Sequence, residues 1–291
     1  MTPKLEAQQK KRPENFGKMY DHACFLCDQN RIEEGIAVAE QLYASQSAQG
    51  VSDEMMATTE DLLAQLFYKS RQYGDAITFC QKALERRKKL SADNPKENLP
   101  SVAGSCNNLA LLLIENKQYD EAETLYREAI AIDKALLDNG VKASVVGLVD
   151  TMNNLASLLR KTERFEESEK LHKKALAIRR KLAVQNPVFL KDVAISCNNL
   201  ANLYCDFGQS ENAEMLFKEA LEIYKTLAAQ DSDAYLPDVA STSKNLAILL
   251  KNTDRPKEAR PLLLKALDIY VDFEMAEEMA IVEDLLLFSD V

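Results

Sequence analysis

Tryptophan is absent from the 291 residues, histidine occurs twice, and glycine and proline occur eight times each. So few chain breakers speak against disorder and against an all-β fold, both of which need turn residues in quantity. Two histidines, His22 and His172, leave little for acid–base chemistry, and no Ser/His/Asp set, phosphate loop or metal-ligand spacing accompanies them. Acidic pairs such as Glu121/Glu123 and Glu166/Glu167 read as solvated helix faces. The expectation is a protein that is not an enzyme and needs no cofactor. Also missing is any run of the roughly 18 apolar residues that would span a bilayer. Met1 to Phe16 carries charge without an apolar centre, unlike a secretory signal.

Six cysteines, Cys24, Cys27, Cys80, Cys106, Cys197 and Cys205, are scattered along the chain. Without a signal peptide they are expected to be reduced thiols in a cytoplasmic protein. Cys24-Phe25-Leu26-Cys27, with His22 nearby, formally contains CxxC, but a zinc site needs a second ligand pair. Packing is the expected role; a metal or redox site at His22, Cys24 and Cys27 is the alternative of another class. The net charge of −10 opposes binding to nucleic acid. The basic runs Arg86-Arg87-Lys88-Lys89 and Arg179-Arg180-Lys181 are expected at helix ends, where cations suit the helix dipole.

What the sequence does have is a repeat. Cys106-Asn107-Asn108-Leu109-Ala110 returns as Met152-Asn153-Asn154-Leu155-Ala156, as Cys197-Asn198-Asn199-Leu200-Ala201 and as Lys244-Asn245-Leu246-Ala247. The alanines are 46, 45 and 46 residues apart. A unit of this length points to stacked modules that bury their apolar faces against neighbours. Within one unit, Leu109, Ala110, Leu112 and Leu113 show helical spacing. So do Tyr119, Ala122, Leu125, Tyr126, Ala129, Ile130 and Ile132 after the short polar junction Glu115–Gln118. Two amphipathic helices joined this tightly form an antiparallel hairpin.

Small residues at Ala110, Ala122 and Ala129 with an aromatic at Tyr126 resemble the tetratricopeptide repeat. The Asn-Asn-Leu-Ala opening, the Tyr119…Glu121-Ala122 turn and the long period resemble its kinesin light chain-like subgroup. The pattern continues at Ala156, Ser168 and Ala175, at Ala201, Ala213, Phe217 and Ala220, and at Ala247, Ala259 and Ala266. It departs where Lys134 replaces the closing proline, and where Cys106, Met152 and Cys197 replace tryptophan. Cys80 and His172 fall in the slot of Tyr126, and His22 in a leucine slot.

The resemblance implies an all-α, right-handed superhelical solenoid of about six antiparallel hairpins with a C-terminal capping helix. The expected parts are a polar tail at 1–14, repeats near 15–50, 51–97, 98–142, 143–187, 188–234 and 235–273, and the cap at 274–291. Extended leads, Leu99–Ala103, Leu190–Ala194 and Leu236–Ala240, are expected before first helices, with Ser101, Asp192 and Asp238 as N-caps or first-turn acids. Pro256 fits a helix start, and Pro261 should bend its helix.

Family members align their first helices along a concave groove. With about 100° per residue, Asn108, Asn154, Asn199 and Asn245 would form a ladder there. Leu111, Ser157, Asn202 and Ile248, then Glu115, Lys161, Asp206 and Asn252, run beside it. Asn107, Asn153, Asn198, Arg160, Lys244 and Lys251 flank it. Asparagine is a mediocre helix former, so its recurrence needs a reason. Its amide both donates and accepts, which suits the backbone of an extended peptide or, alternatively, ties between stacked helices. Arg160, Lys161, Lys244 and Lys251 supply charge, but not the full set with which some family members clamp a C-terminal carboxylate. The implied function is a protein- or peptide-binding scaffold, with a peptide-sensing regulator that changes its pitch as the alternative.

Overall fold

The computed structural model describes residues 12–287, with side chains from Asn15 onward. The first eleven residues of the expected tail and the last four of the expected cap lie outside them. Thirteen α-helices make up almost all of the described residues. They are α1 (Arg12–Asp28), α2 (Ile32–Gln49), α3 (Asp53–Lys69), α4 (Tyr73–Asp93), α5 (Pro95–Glu115), α6 (Tyr119–Asp138), α7 (Ser144–Lys161), α8 (Phe165–Gln185), α9 (Leu190–Asp206), α10 (Ser210–Ala228), α11 (Ser232–Asn252), α12 (Pro256–Asp272) and α13 (Ala276–Leu287). A 3-10 turn, Pro187–Phe189, precedes α9. The chain divides into two compact units, Met1–Thr151 and Met152–Val291, and the division falls inside α7.

Each unit is built of antiparallel hairpins whose contacts the repeat anticipates. In the first unit Ala23, Ala110, Ala76, Ala122, Ala83 and Ala129 are fully buried where helices meet, and Ala64 nearly so. A Cβ at Gly35, the small residue of the first hairpin, would lie 3.0 Å from Leu66 Cδ2. In the second unit Ala156, Ala201 and Ala247, and Ser168, Ala213 and Ala259, hold the same places without exposure. Ser168 donates its hydroxyl to the Ala156 carbonyl at 2.7 Å, which satisfies a polar atom in that slot. Tyr126, Cys80, His172, Phe217 and Leu263 are all buried at the aromatic position. Burial pushes the Cys80 thiol up to about 12 and His172 down to about 4, so both pack in neutral form.

One device recurs at every hairpin turn and was not visible in the residue types. Asn30, Arg71, Lys117, Glu163, Gly208 and Asp254 all take left-handed φ between 57° and 68°. The following N–H then bonds back five residues, as in Arg31 to Leu26, Gln118 to Leu113 and Arg255 to Leu250, each at 2.8 Å. This αL closure satisfies carbonyls left open by the first helix and reverses the chain. Glycine stands at only one of the six positions, so the turn had no glycine signature.

Several expectations are corrected. None of the three leads is extended: Leu190–Ala194 is the first turn of α9, while α5 starts at Pro95 and α11 at Ser232, leaving Pro100 and Pro237 inside helices. Ser101 and Asp238 are therefore not caps. Asp231 accepts from the Ala234 N–H at 3.1 Å and caps α11 in their stead. Asp192 does fall in the first turn of α9. His22 is exposed, because among the described residues no hairpin covers that face of α1. The basic runs are not at helix ends, since α4 continues to Asp93 and α8 to Gln185. They are ion-paired: Arg86 with Asp53 and the fully buried Glu60, Arg87 with Asp61, Lys88 with Glu128, and Arg180 with Glu219.

Helix α13 packs on the last hairpin. Val282 is fully buried, while Met275, Met279, Leu285 and Leu286 rest against the core of α9 to α12. Lys244 of α11 pairs with Glu278, and Lys251 donates to the Leu285 carbonyl.

Candidate functional site: the first-helix surface

In the first unit, α3 and α5 border a cavity of about 410 Å³. Leu112 and Ala64 line it beneath Tyr68 and Leu111, which are 43% and 44% exposed. Both stand beside an opening that also holds the Asn108 and Gln65 amides and the Glu115 carboxylate. An apolar concavity with a few convergent polar groups is the usual form of a binding site. Asn108 itself is exposed, and Asn107 lies beside it with an amide contact of 3.5 Å.

In the second unit, the two residues of each Asn-Asn pair separate. Asn153 is buried; it donates to Ser196 Oγ at 3.1 Å and its Oδ1 meets His172 Nδ1 at 3.0 Å. Asn198 donates to Thr242 Oγ1 at 2.9 Å. These bonds tie α7 to α8 and α9, and α9 to α11, so the two amides serve the stack and not an open flank. Asn154, Asn199, Asn202 and Asn245 are half-buried, while Ser157, Lys161 and Asn252 are exposed.

The cations expected on the flank are engaged elsewhere. Arg160 pairs with Asp206 across adjacent first helices at 2.7 Å, and both were expected to face ligand. Lys244 and Lys251 hold α13, as described above. Sequence reasoning missed a polar register at Ser105, Thr151, Ser196 and Thr242, although these recur at the same 46-, 45- and 46-residue spacing. All four are buried. Arg87 donates to Ser105 Oγ at 2.5 Å and Arg179 to Ser196 Oγ at 2.7 Å.

Around the CxxC stretch, Cys27 is buried and burial raises the Cys24 pKa, which disfavours a reactive thiolate. Among the described residues no three His, Cys, Asp or Glu side chains come together as metal ligands, and no helix is long and apolar enough to cross a membrane.

Stacked two-helix modules with an accessible first-helix face define a helical repeat protein. Tetratricopeptide repeat family models match residues 57–95 and 102–139, and again 147–226 and 192–271, so the chain belongs to the tetratricopeptide repeat family. Among solved structures it is similar to a Podosopora anserina putative kinesin light chain (20% identity over 75% of this chain and 98% of that one, TM-score 0.61). It is also similar to BtubC (BKLC) from P. vanneervenii (22% identity, 89% and 92%, TM-score 0.64). A Rap protein in complex with competence and sporulation factor has the same fold (16% identity, 94% and 74%, TM-score 0.58). A comparison with curated protein sequences found no match.

Proposed function

We propose that this protein is a non-catalytic scaffold that holds an extended segment of a partner protein along its first-helix surface. The observation that carries the reading is the cavity between α3 and α5, with Tyr68 and Leu111 exposed around it. An apolar side chain of the partner would enter between Tyr68 and Leu111. The Asn108 and Gln65 amides would pair with its backbone, since an amide serves donors and acceptors alike. In the second unit Asn154, Asn199, Asn202, Asn245 and Asn252, with Ser157, Lys161 and Asp206, offer the corresponding surface. The Rap complex is consistent with this fold holding a ligand, and a regulator that responds to a peptide is the second reading.

Selecting displayed random peptides on the full chain, then repeating with Leu111→Glu and Asn108→Ala, tests the proposal. Both positions are at the surface, so the variants should stay folded. Selected peptides should share an apolar anchor and lose about tenfold or more in affinity to Leu111→Glu, the scale of one buried apolar contact turned polar. Peptides that bind both variants as well as the parent would move the site off this face.

A further inference from the structure

A second cavity in the first unit, about 240 Å³ and distinct from the one at Asn108, lies between α5, α6 and the start of α7. Its wall includes Asp133, whose side chain is nearly inaccessible at 3% exposure. By the repeat, Asp133 lies 46 residues after Arg87 and 46 before Arg179. Both of those arginines place a guanidinium on the Ser/Thr register of the next first helix, at Ser105 and Ser196. The third hairpin thus has a carboxylate where its neighbours have a cation, facing Thr151 of the same register across a hollow.

Three further observations mark the hollow as built for an occupant. Among the described residues no cation pairs with Asp133: burial, and then the neighbouring Asp150 carboxylate, push its pKa up to about 6. Ser144 is 6% exposed and lines the cavity, and its Oγ is buried without a hydrogen-bond partner. A buried polar atom left in that state is costly and calls for a partner. Finally, Gly147 keeps the space open. A Cβ there would stand 3.2 Å from Asp133 Oδ2, and the equivalent position in the fifth repeat is Asp192.

We infer that this cavity receives the protonated head group of an arginine or lysine side chain from a partner protein. The volume is below that of a pocket for a whole small-molecule ligand, and suits one side-chain head. Carboxylates of Asp133 and Asp150 supply the counter-charge, and Ser144 Oγ and the Thr151 hydroxyl accept the remaining N–H groups. An incoming cation completes the polar register that Arg87 and Arg179 complete from within the chain. The overall charge of −10 favours approach of a basic segment. Neither the occupant nor the test depends on the cavity at Asn108.

The test titrates the ¹⁵N-labelled full chain with acetyl-arginine methylamide, acetyl-lysine methylamide and the neutral acetyl-citrulline methylamide, above neutral pH. The amides of Ser144, Gly147 and Asn107 are followed. Either basic probe should shift these amides while citrulline does not, and the stronger of the two identifies the preferred head group. Asp133→Asn should weaken binding by about tenfold or more, as expected when a charge-assisted hydrogen bond becomes neutral. Gly147→Val, which fills the space, should abolish it with the rest of the spectrum unchanged. Absence of any shift with both basic probes, an equal response to citrulline, or undiminished binding by Asp133→Asn would each overturn the inference.

Discussion

Replacing Asp133 by asparagine should make the protein more stable at neutral pH, and the gain should depend on pH. The carboxyl is held at about 6 in the folded chain, against an ordinary 3.8, by burial and by Asp150. The folded state therefore binds the proton more tightly than the unfolded state does. Its contribution to stability is intact below about pH 4, declines as pH rises toward 6, and is fully lost above that. Each pKa unit is worth about 1.4 kcal/mol, so the buried charge costs the folded state up to about 3 kcal/mol at neutral pH. Asparagine has nearly the same shape and no charge to bury. Denaturant unfolding of the parent and of Asp133→Asn, at intervals from about pH 4 to 8, should give curves that coincide at the acid end. They should separate in favour of the variant as pH rises from about 4 to 6, and stay apart by up to about 3 kcal/mol above that. Because helical arrays need not unfold in one step, hydrogen exchange of α6 amides serves as the local readout. Parallel stability curves across the whole range would show that Asp133 is not desolvated as the structure places it, and would remove the basis for a cation-receiving cavity.

Two further outcomes follow from the hairpin turns and the stack. Gly208→Ala should destabilise the second unit by roughly 1–2 kcal/mol, the cost of a side chain at left-handed φ, because Gly208 has φ 68° and open space around it; an unchanged denaturation midpoint would refute the strain argument. A double-mutant cycle of Asn198→Ala and Thr242→Val should return a coupling of about 0.5–1.5 kcal/mol in thermal or chemical unfolding, the usual net worth of one hydrogen bond, whereas simple additivity would mean that the 2.9 Å contact contributes nothing to the stack.

The fold was legible because its signals are periodic and apolar. Alanine at 110, 156, 201 and 247 marks where helices touch, and a burial rule that holds once holds at every repeat. Helix starts were less legible. Pro100 and Pro237 read as part of an extended lead, yet each sits in the early part of a helix where only one backbone bond is forfeited, so the helix begins a turn earlier. The left-handed turns were silent because asparagine, arginine, lysine, glutamate and aspartate occupy five of the six, at the cost of a side chain in that conformation, and glycine only one. The site was the hardest to read. Which lysine faces a groove depends on what else is near it, and Lys244 and Lys251 are drawn to α13, whose place on α11 no local pattern announces. Asp133 looked like one more acidic residue on a charged helix. Its meaning appears only when it is aligned with Arg87 and Arg179 and found buried.

The Asn-Asn pair shows how one sequence motif can carry two physical roles. Successive residues of a helix point about 100° apart, so two adjacent amides need not serve the same surface. In the second unit the first of each pair turns toward the neighbouring helices, where an apolar residue would leave Ser196 and Thr242 without the bonds that Asn153 and Asn198 provide. That position is under the demand that buried polar atoms be matched; Asn153 meets it by donating to a hydroxyl and accepting from His172 at once, while Asn198 donates to Thr242 and keeps a buried Oδ1 without a partner. The second of the pair is under no such demand in the first unit, where Asn108 is exposed beside Tyr68 and Leu111. Alanine there would favour the helix and leave no hydroxyl of the stack unmatched. An amide that brings the helix no gain and the core no bond is available to a ligand, so the proposed function rests on the first unit's cavity and not on the buried amides.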